Sequence, residues 1–448
     1  METMNTYNGT ILVVDLDAQT CTTEELSTDL IEQGLGGAGI NLLLYEQYKD
    51  RNPLVLGSGL LTATFAPAAC CGVMTAKSPV TGQIAHVPFG WQTGVEMKLT
   101  GFDFVVILGT SPKPVRLWLH DGLSDINDAA DIWGKDVWAS VDKIREAYGD
   151  EMVQTLIIGP AGENKQSLAQ VCENYWGSKD KAGLGAVFGA KNLKAVAMRG
   201  LGSLEVAEGF FQKCMELKNE IVGGSIKGKA GLYDIGAALG IDATALEKMK
   251  TMIHRNNAAY NCPYPYYTFL KYNEPPAAMD MKGHAEPGCL VSDIAGFAAL
   301  AATGSDPARA FERCCRFGLE PLGTAAALKK QGAGDVAQID KLAGTGTAEG
   351  IPVWPVCVDQ QQAIMAITKA LSFAVPPRAP FSQDGGAQTW VARQAVAYLL
   401  GIDPVIMLLA PELTEEKLAA LVALAADWDD FSADTLKKIA NAVITKST

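Results

Sequence analysis

The chain has 448 residues, too many for one simple core, so two or more domains are expected. Its net charge of -13 speaks against nucleic acid and against an anionic membrane surface, both of which are bound through clustered Lys and Arg. Hydrophobic residues at 48% with charged residues at 19% fit an ordered globular protein rather than a disordered one.

The start, Met1 to Thr6, has no basic region, and the apolar run Ile11 to Val14 is too short for a signal peptide. No apolar stretch reaches bilayer length, so a cytoplasmic protein without a membrane span is expected. Ten Cys in a chain of this length are too sparse for a disulfide scaffold. Most are expected to be reduced and buried as small apolar residues.

Along the first two hundred residues, β-branched and aromatic runs punctuated by Gly or Pro predict strands at Thr10–Asp15, Leu54–Gly57, Gly72–Ala76, Phe104–Leu108, Val115–Leu119, Val153–Ile158 and Lys194–Met198. Helices are predicted at Thr23–Gln33, Ile40–Tyr48 and Val137–Tyr148. Strands and long helices do not alternate regularly, so an α+β fold on antiparallel or mixed sheets fits better than a doubly wound one. From Glu205 the pattern turns helical: Glu205–Val222, Thr244–Arg255, Val291–Ala302, Pro307–Phe317, Gln360–Leu371, Val391–Leu400, Glu415–Ala426 and Ala433–Val443. A boundary is expected near Arg199-Gly200-Leu201-Gly202-Ser203.

Gly34-Leu35-Gly36-Gly37-Ala38-Gly39 fits the dinucleotide pattern formally. That pattern works when a strand precedes it, and here a helix is predicted, so a helix–helix turn is the better reading. Phe89-Gly90-Trp91 offers backbone freedom beside a ligand, or simply a turn. Trp176-Gly177-Ser178-Lys179-Asp180-Lys181-Ala182-Gly183-Leu184-Gly185 could present N–H groups and a cation to an anion. His284 beside Glu286 is the best acid–base candidate, although a structural His is the plainer reading. Two vicinal thiol pairs stand out, Cys70-Cys71 and Cys314-Cys315.

Several ordered segments resemble the tungsten-dependent aldehyde ferredoxin oxidoreductase family. They are Gly183-Leu184-Gly185-Ala186-Val187-Phe188-Gly189-Ala190-Lys191-Asn192, Ile158-Gly159-Pro160-Ala161-Gly162-Glu163-Asn164, Lys77-Ser78-Pro79-Val80-Thr81-Gly82 and Met97-Lys98-Leu99-Thr100-Gly101-Phe102-Asp103. The resemblance implies a two-sheet, pterin-cradling domain over residues 1–200, a helical domain over 205–330 and a shortened helical domain over 331–448. It implies oxidation of aldehydes or other oxo groups, with electron transfer to an iron–sulfur carrier such as ferredoxin. It places Lys77, Gly90, Ser178, Lys181, Gly183 and Glu320 around a tungsten or molybdenum pterin.

The departures from the family are equally specific. Its iron–sulfur motif has three closely spaced Cys and a fourth near the C-terminus. In Tyr260-Asn261-Cys262-Pro263-Tyr264-Pro265-Tyr266-Tyr267 only Cys262 remains, and no Cys follows Cys357. A 4Fe-4S cluster is therefore not expected. Cys71 aligns with an Arg that bridges cluster and pterin in the family, and Cys315 with an acidic pterin-binding position. Lys181 falls where an Arg is usual, and Lys lacks the fork that clamps a phosphate. Cys71, Cys262 and Cys315 could face one cavity as a metal or redox site of another kind, or be three buried thiols. Two functions stay open: an oxidoreductase with a pterin or a replacement for it, or a cofactor-free, catalytically silent paralogue. The latter would be a structural or regulatory subunit, as a homodimer or with a related chain.

Overall fold

The computed structural model describes residues 6–272, 287–332, 334, 336–345 and 387–447. The predicted helix Gln360–Leu371 and the pair His284 and Glu286 lie outside the described residues.

The strands are β1 (Thr10–Asp15), β2 (Thr20–Glu25), β3 (Leu54–Ser58), β4 (Gly72–Lys77), β5 (Ile84–Phe89), β6 (Phe104–Leu108), β7 (Val115–His120), β8 (Leu123–Asp128), β9 (Gln154–Ile158), β10 (Val171–Glu173), β11 (Leu193–Arg199), β12 (Ile253–Asn257), β13 (Tyr267–Lys271) and β14 (Gly288–Val291). They form a six-stranded sheet in the order β2-β1-β6-β3-β4-β5, a five-stranded sheet β10-β9-β11-β7-β8 and a small sheet β12-β13-β14. Both large sheets are mixed, since β1 runs parallel to β6 and β11 parallel to β7. This is the expected α+β class, with two sheets in front and helices behind.

The layering follows from the period of two along each strand. Leu12, Val14, Leu54, Leu56, Val105 and Ile107 of the first sheet meet Leu117, Leu119, Leu156, Val196 and Met198 of the second in one core. Their sequence neighbours Ile11, Val13, Val55, Phe104 and Val106 point the other way, into the core shared with the C-terminal helices. The back of the second sheet, Ile157, Ala195 and Ala197, packs on Val137, Val141 and Ile144 of the helix Val137–Tyr148. The strands β3, β6 and β9 are buried on both faces, and β3 and β6 accordingly read as apolar runs over most of their length.

Two predicted helices are corrected. Thr20–Glu25 is a strand, and the helix starts only at Thr28, after Ser27 accepts from Leu30 N. Thr244–Arg255 splits into the helix Ala243–Lys250 and the strand β12. Both strands are exposed or half-buried, so they carry no apolar alternation to betray them. The expected helix–helix turn is present but short: Leu35 and Gly36 join the helix Thr28–Gly34 to the helix Gly37–Gln47, which takes in Gly37 to Gly39. The helix Pro307–Phe317 has the predicted limits: Asp306 caps its start, Pro307 occupies its first turn and Gly318 ends it at φ 69°.

The far end of the chain is stitched into the front. Leu60 N and Leu61 N donate to Leu399 O and Leu400 O, Cys71 N donates to Gly401 O, and Asp403 N donates to Ala68 O. A Cβ on Gly59 would sit 2.0 Å from Gly401 N, so only glycine allows this approach. No helix among the described residues is long and apolar enough to cross a membrane.

The last helix, Ala433–Ser447, is tied to the first sheet by a chain of polar contacts. Asn41 donates to Thr75 Oγ1, Thr75 Oγ1 lies 2.8 Å from His86 Nδ1, and His86 Nε2 lies 2.9 Å from Ser447 Oγ. With Ser447 donating to Val443 O, the ring is satisfied as a neutral imidazole. Burial pushes its pKa down to about 3. The folded protein thus refuses a proton that the unfolded chain takes up near pH 6.5, so His86 favours folding above that pH and this advantage fades on acidification. Lowering the pH from 7 to 5 should cost about 2 kcal/mol through this residue. Urea unfolding of wild type and His86→Gln at both pH values checks it; the variant should show a flatter pH slope.

Candidate functional site

The loops that follow β3, β5 and β10 converge with residues 259–267 and 401–403 at one end of the sheets. The loop after β3 is braced by Thr62, whose hydroxyl accepts from Gly59 N and donates to Cys71 O at 2.6 Å. Cys70 and Cys71 are fully buried, with their sulfurs 4.0 Å apart. Gly90 lies over them, and a Cβ there would come within 2.9 Å of Cys71 Sγ.

Across from the thiols, Lys179 Nζ donates to Tyr266 Oη at 2.9 Å and sits 4.0 Å from Asp403 Oδ2. Tyr266 donates to the same carboxylate at 2.6 Å. Burial works against the Lys179 ammonium, but Asp403, Tyr267, Cys71 and Glu173 outweigh it and hold its pKa well above the ordinary value. Cys71 is held well above the usual thiol range by its contact with Cys70, by burial and by Asp403. Glu173 is also buried; its Oε2 accepts from Gly90 N and Thr93 Oγ1, both at 2.8 Å. Burial raises its pKa, against the pull of Lys179. Glu173 reaches a cleft of about 280 Å³ walled by Trp91, Trp176 and Tyr267, with Arg145 and Gln154 on its rim. Aromatic walls over a buried carboxyl suit a small, partly apolar molecule.

The loop toward the helix Leu184–Ala190 is organised by an acid. Asp180 accepts from Val171 N and Gly185 N on one oxygen and from Ala182 N and Leu184 N on the other, at 3.0–3.2 Å. Three of these N–H groups sit at the helix start, where an anion would otherwise bind, and the fourth belongs to β10; the protein's own carboxylate holds all four. Burial pushes Asp180 up to about 6, against those four bonds. Lys181 is turned away into an ion triad, 2.8 Å from Asp293 and 2.5 Å from Glu320. Glu320 also caps the helix Pro321–Lys330 by accepting from Leu322 N and Gly323 N.

The remaining residues singled out in the sequence scatter around this centre. Lys77 is exposed at the end of β4. Ser178 Oγ accepts from Asp180 N, and Gly183 adopts φ 74° at the helix start. Cys262 Sγ donates to Tyr264 O, while Cys315 Sγ accepts from Gly177 N at 3.2 Å. Cys262 lies close enough to Cys71 to feel its charge. Among the described residues, the donor atoms close enough to share an ion belong to Cys70, Cys71 and Asp403. Cys315 lies instead near Cys172, Cys289 and Cys314, whose pKa values it helps burial to raise. Tyr264, Tyr266 and Tyr267 are all buried. Lys179, Glu173 and Asp403 were not legible as site residues. Asp403-Pro404 signals a helix start and nothing more, and no sequence pattern shows that it faces Lys179.

Residues 11–200 match the model of the aldehyde ferredoxin oxidoreductase N-terminal domain. This region belongs to the aldehyde ferredoxin oxidoreductase family. Within that family, the chain is 38% identical over 247 residues to the tungsten-containing aldehyde ferredoxin oxidoreductase of Pyrococcus abyssi, covering 52% of this chain and 40% of that protein. It is 31% identical over 287 residues to the Pyrococcus furiosus tungsten-containing enzyme, covering 57% of this chain and 47% of that one. A third relative, the aliphatic sulfonate oxidoreductase WOR-like subunit of Pyrococcus furiosus, is 30% identical over 224 residues, 45% of this chain and 36% of that protein. The chain thus spans less than half the length of the curated relatives it matches. The solved active site complex BamBC of benzoyl coenzyme A reductase, in complex with 1,5 dienoyl-CoA, superposes with TM-score 0.75 at 17% identity, covering 99% of this chain and 88% of that one. That likeness shows a fold shared over nearly the whole of this chain, beyond residue 200 as well as before it.

Replacing Asp180 with Asn would set an NH2 group against two N–H donors. Asp180→Asn should lower the unfolding free energy by about 3 kcal/mol, read from urea titration at pH 7.5.

Proposed function

We infer that this chain has given up the tungsten pterin of its relatives and serves as a structural or regulatory subunit beside a related, cofactor-bearing chain. One observation carries the reading: Asp180 occupies the backbone N–H groups of Ala182, Leu184 and Gly185 at the start of the helix Leu184–Ala190, together with that of Val171 in β10. A second anion there would meet a fixed negative carboxylate rather than a vacant nest. Lys181, the cation of the same loop, is already matched by Asp293 and Glu320 and has no charge left for a phosphate. The residues present do not fit the phosphates of a pterin, so no step is derived through one. The lost cluster thiols around Cys262 point the same way, since they would leave electrons without an outlet. A subunit role is supported by the relative named as a WOR-like subunit and by a structural neighbour that is part of a complex. The acidic net charge of -13 suits a cytoplasmic protein partner better than nucleic acid.

The cleft beside Glu173 favours a second reading. In it, the chain remains an oxidoreductase acting on an aldehyde or other oxo group, with a ferredoxin-like acceptor.

Elemental analysis of anaerobically purified protein separates the two. Tungsten, molybdenum and iron should all be substoichiometric, and the sample should show no visible absorbance. One tungsten or molybdenum per chain, or about four irons, would establish the second reading.

A further inference from the structure

We propose that Cys70, Cys71 and Asp403 form a zinc site that clamps the loop after β3 to the C-terminal segment. Their donor atoms all lie within 4.8 Å of one another, and all three residues are buried. The two sulfurs are 4.0 Å apart. Tetrahedral zinc with Zn–S near 2.3 Å places two thiolates about 3.8 Å apart, so the pair already spans one edge of the polyhedron. The backbone fixes the donors: Cys71 N is bonded to Gly401 O, and Asp403 N to Ala68 O. The carboxylate is oriented by its own shell, with Val405 N on Oδ1 at 2.9 Å and Tyr266 on Oδ2 at 2.6 Å. Gly90 packs over the sulfurs without a Cβ, which would otherwise come within 2.9 Å of Cys71 Sγ. Charge also balances. Two thiolates, a carboxylate and Zn²⁺ sum to one negative charge, and Lys179 lies 4.0 Å from Asp403 to offset it.

Binding would be a plain exchange: Zn²⁺ enters, two S–Zn bonds replace two S–H bonds, and two protons leave to solvent. No oxidant is needed. Each thiol must lose its proton to bind the ion, so affinity should depend steeply on pH.

The test uses the reduced, chelator-treated full chain titrated with Zn²⁺ against a fluorescent competitor. One ion should bind, with release of about two protons and affinity rising about hundredfold per pH unit between 6 and 8. X-ray absorption at the zinc edge of the wild-type protein should show two sulfurs near 2.3 Å, a readout that needs no variant. Cys70→Ser with Cys71→Ser should abolish binding, while Cys315→Ser should leave it intact. No zinc uptake by reduced wild type, a shell without sulfur, or a Cys70–Cys71 disulfide that persists in place of binding would overturn the proposal. This failure is separate from that of the subunit reading, which is decided by tungsten, molybdenum and iron.

Discussion

Charge sealed away from water must be cancelled where it lies, and that constraint shapes the whole centre of this molecule. Lys179, Asp180, Lys181, Asp293, Glu320 and Asp403 all come from connecting segments, yet each is tied to a partner of opposite sign or to a row of backbone N–H groups. Removing one member would strand another in a low-dielectric interior, so the loops cannot be rearranged singly. The glycine-rich segment 177–185 keeps its course because Asp180 and Lys181 are pulled in opposite directions, one onto the helix start and the other toward Asp293 and Glu320.

A cradle built to hold an anionic cofactor and a cradle filled by its own acid differ by very few side chains. Both need N–H groups converging at a helix start, close glycines and a cation nearby. Here the N–H groups remain and the carboxylate answers them, so the inherited shape is stable without a ligand. This gives the subunit reading its physical sense. On that reading, the carboxylate that would weaken phosphate binding also supplies the charge that an empty nest would lack.

Much of the fold could be read from the chain, for identifiable reasons. Leu54–Ser58 and Phe104–Leu108 are buried on both sides and announce themselves as apolar runs. Pro307–Phe317 is bounded by Asp306-Pro307 and Gly318, each of which acts locally. The strands Thr20–Glu25 and Leu123–Asp128 stayed hidden because they lie at sheet edges and face solvent, so Thr, Ser and Asp suit them as well as apolar residues do. The site was legible only where its residues are consecutive. The loop with Ser178, Lys181 and Gly183 could be singled out, but its meaning changed once Asp180 proved to be its anchor. The pairing of Lys179 with Asp403 depends on segments from distant parts of the sequence, and no local pattern encodes it.

The stitching of residues 399–403 into the loop after β3 bears on how the molecule comes into being. A chain leaving the ribosome presents its first sheet long before Leu399, Leu400 and Gly401 exist to bond Leu60, Leu61 and Cys71. Until then one face of that sheet is an open apolar trough with unanswered N–H groups, the kind of surface that chaperones shield and that aggregates seek. Synthesis must pass Asp403 before the front of this protein can close.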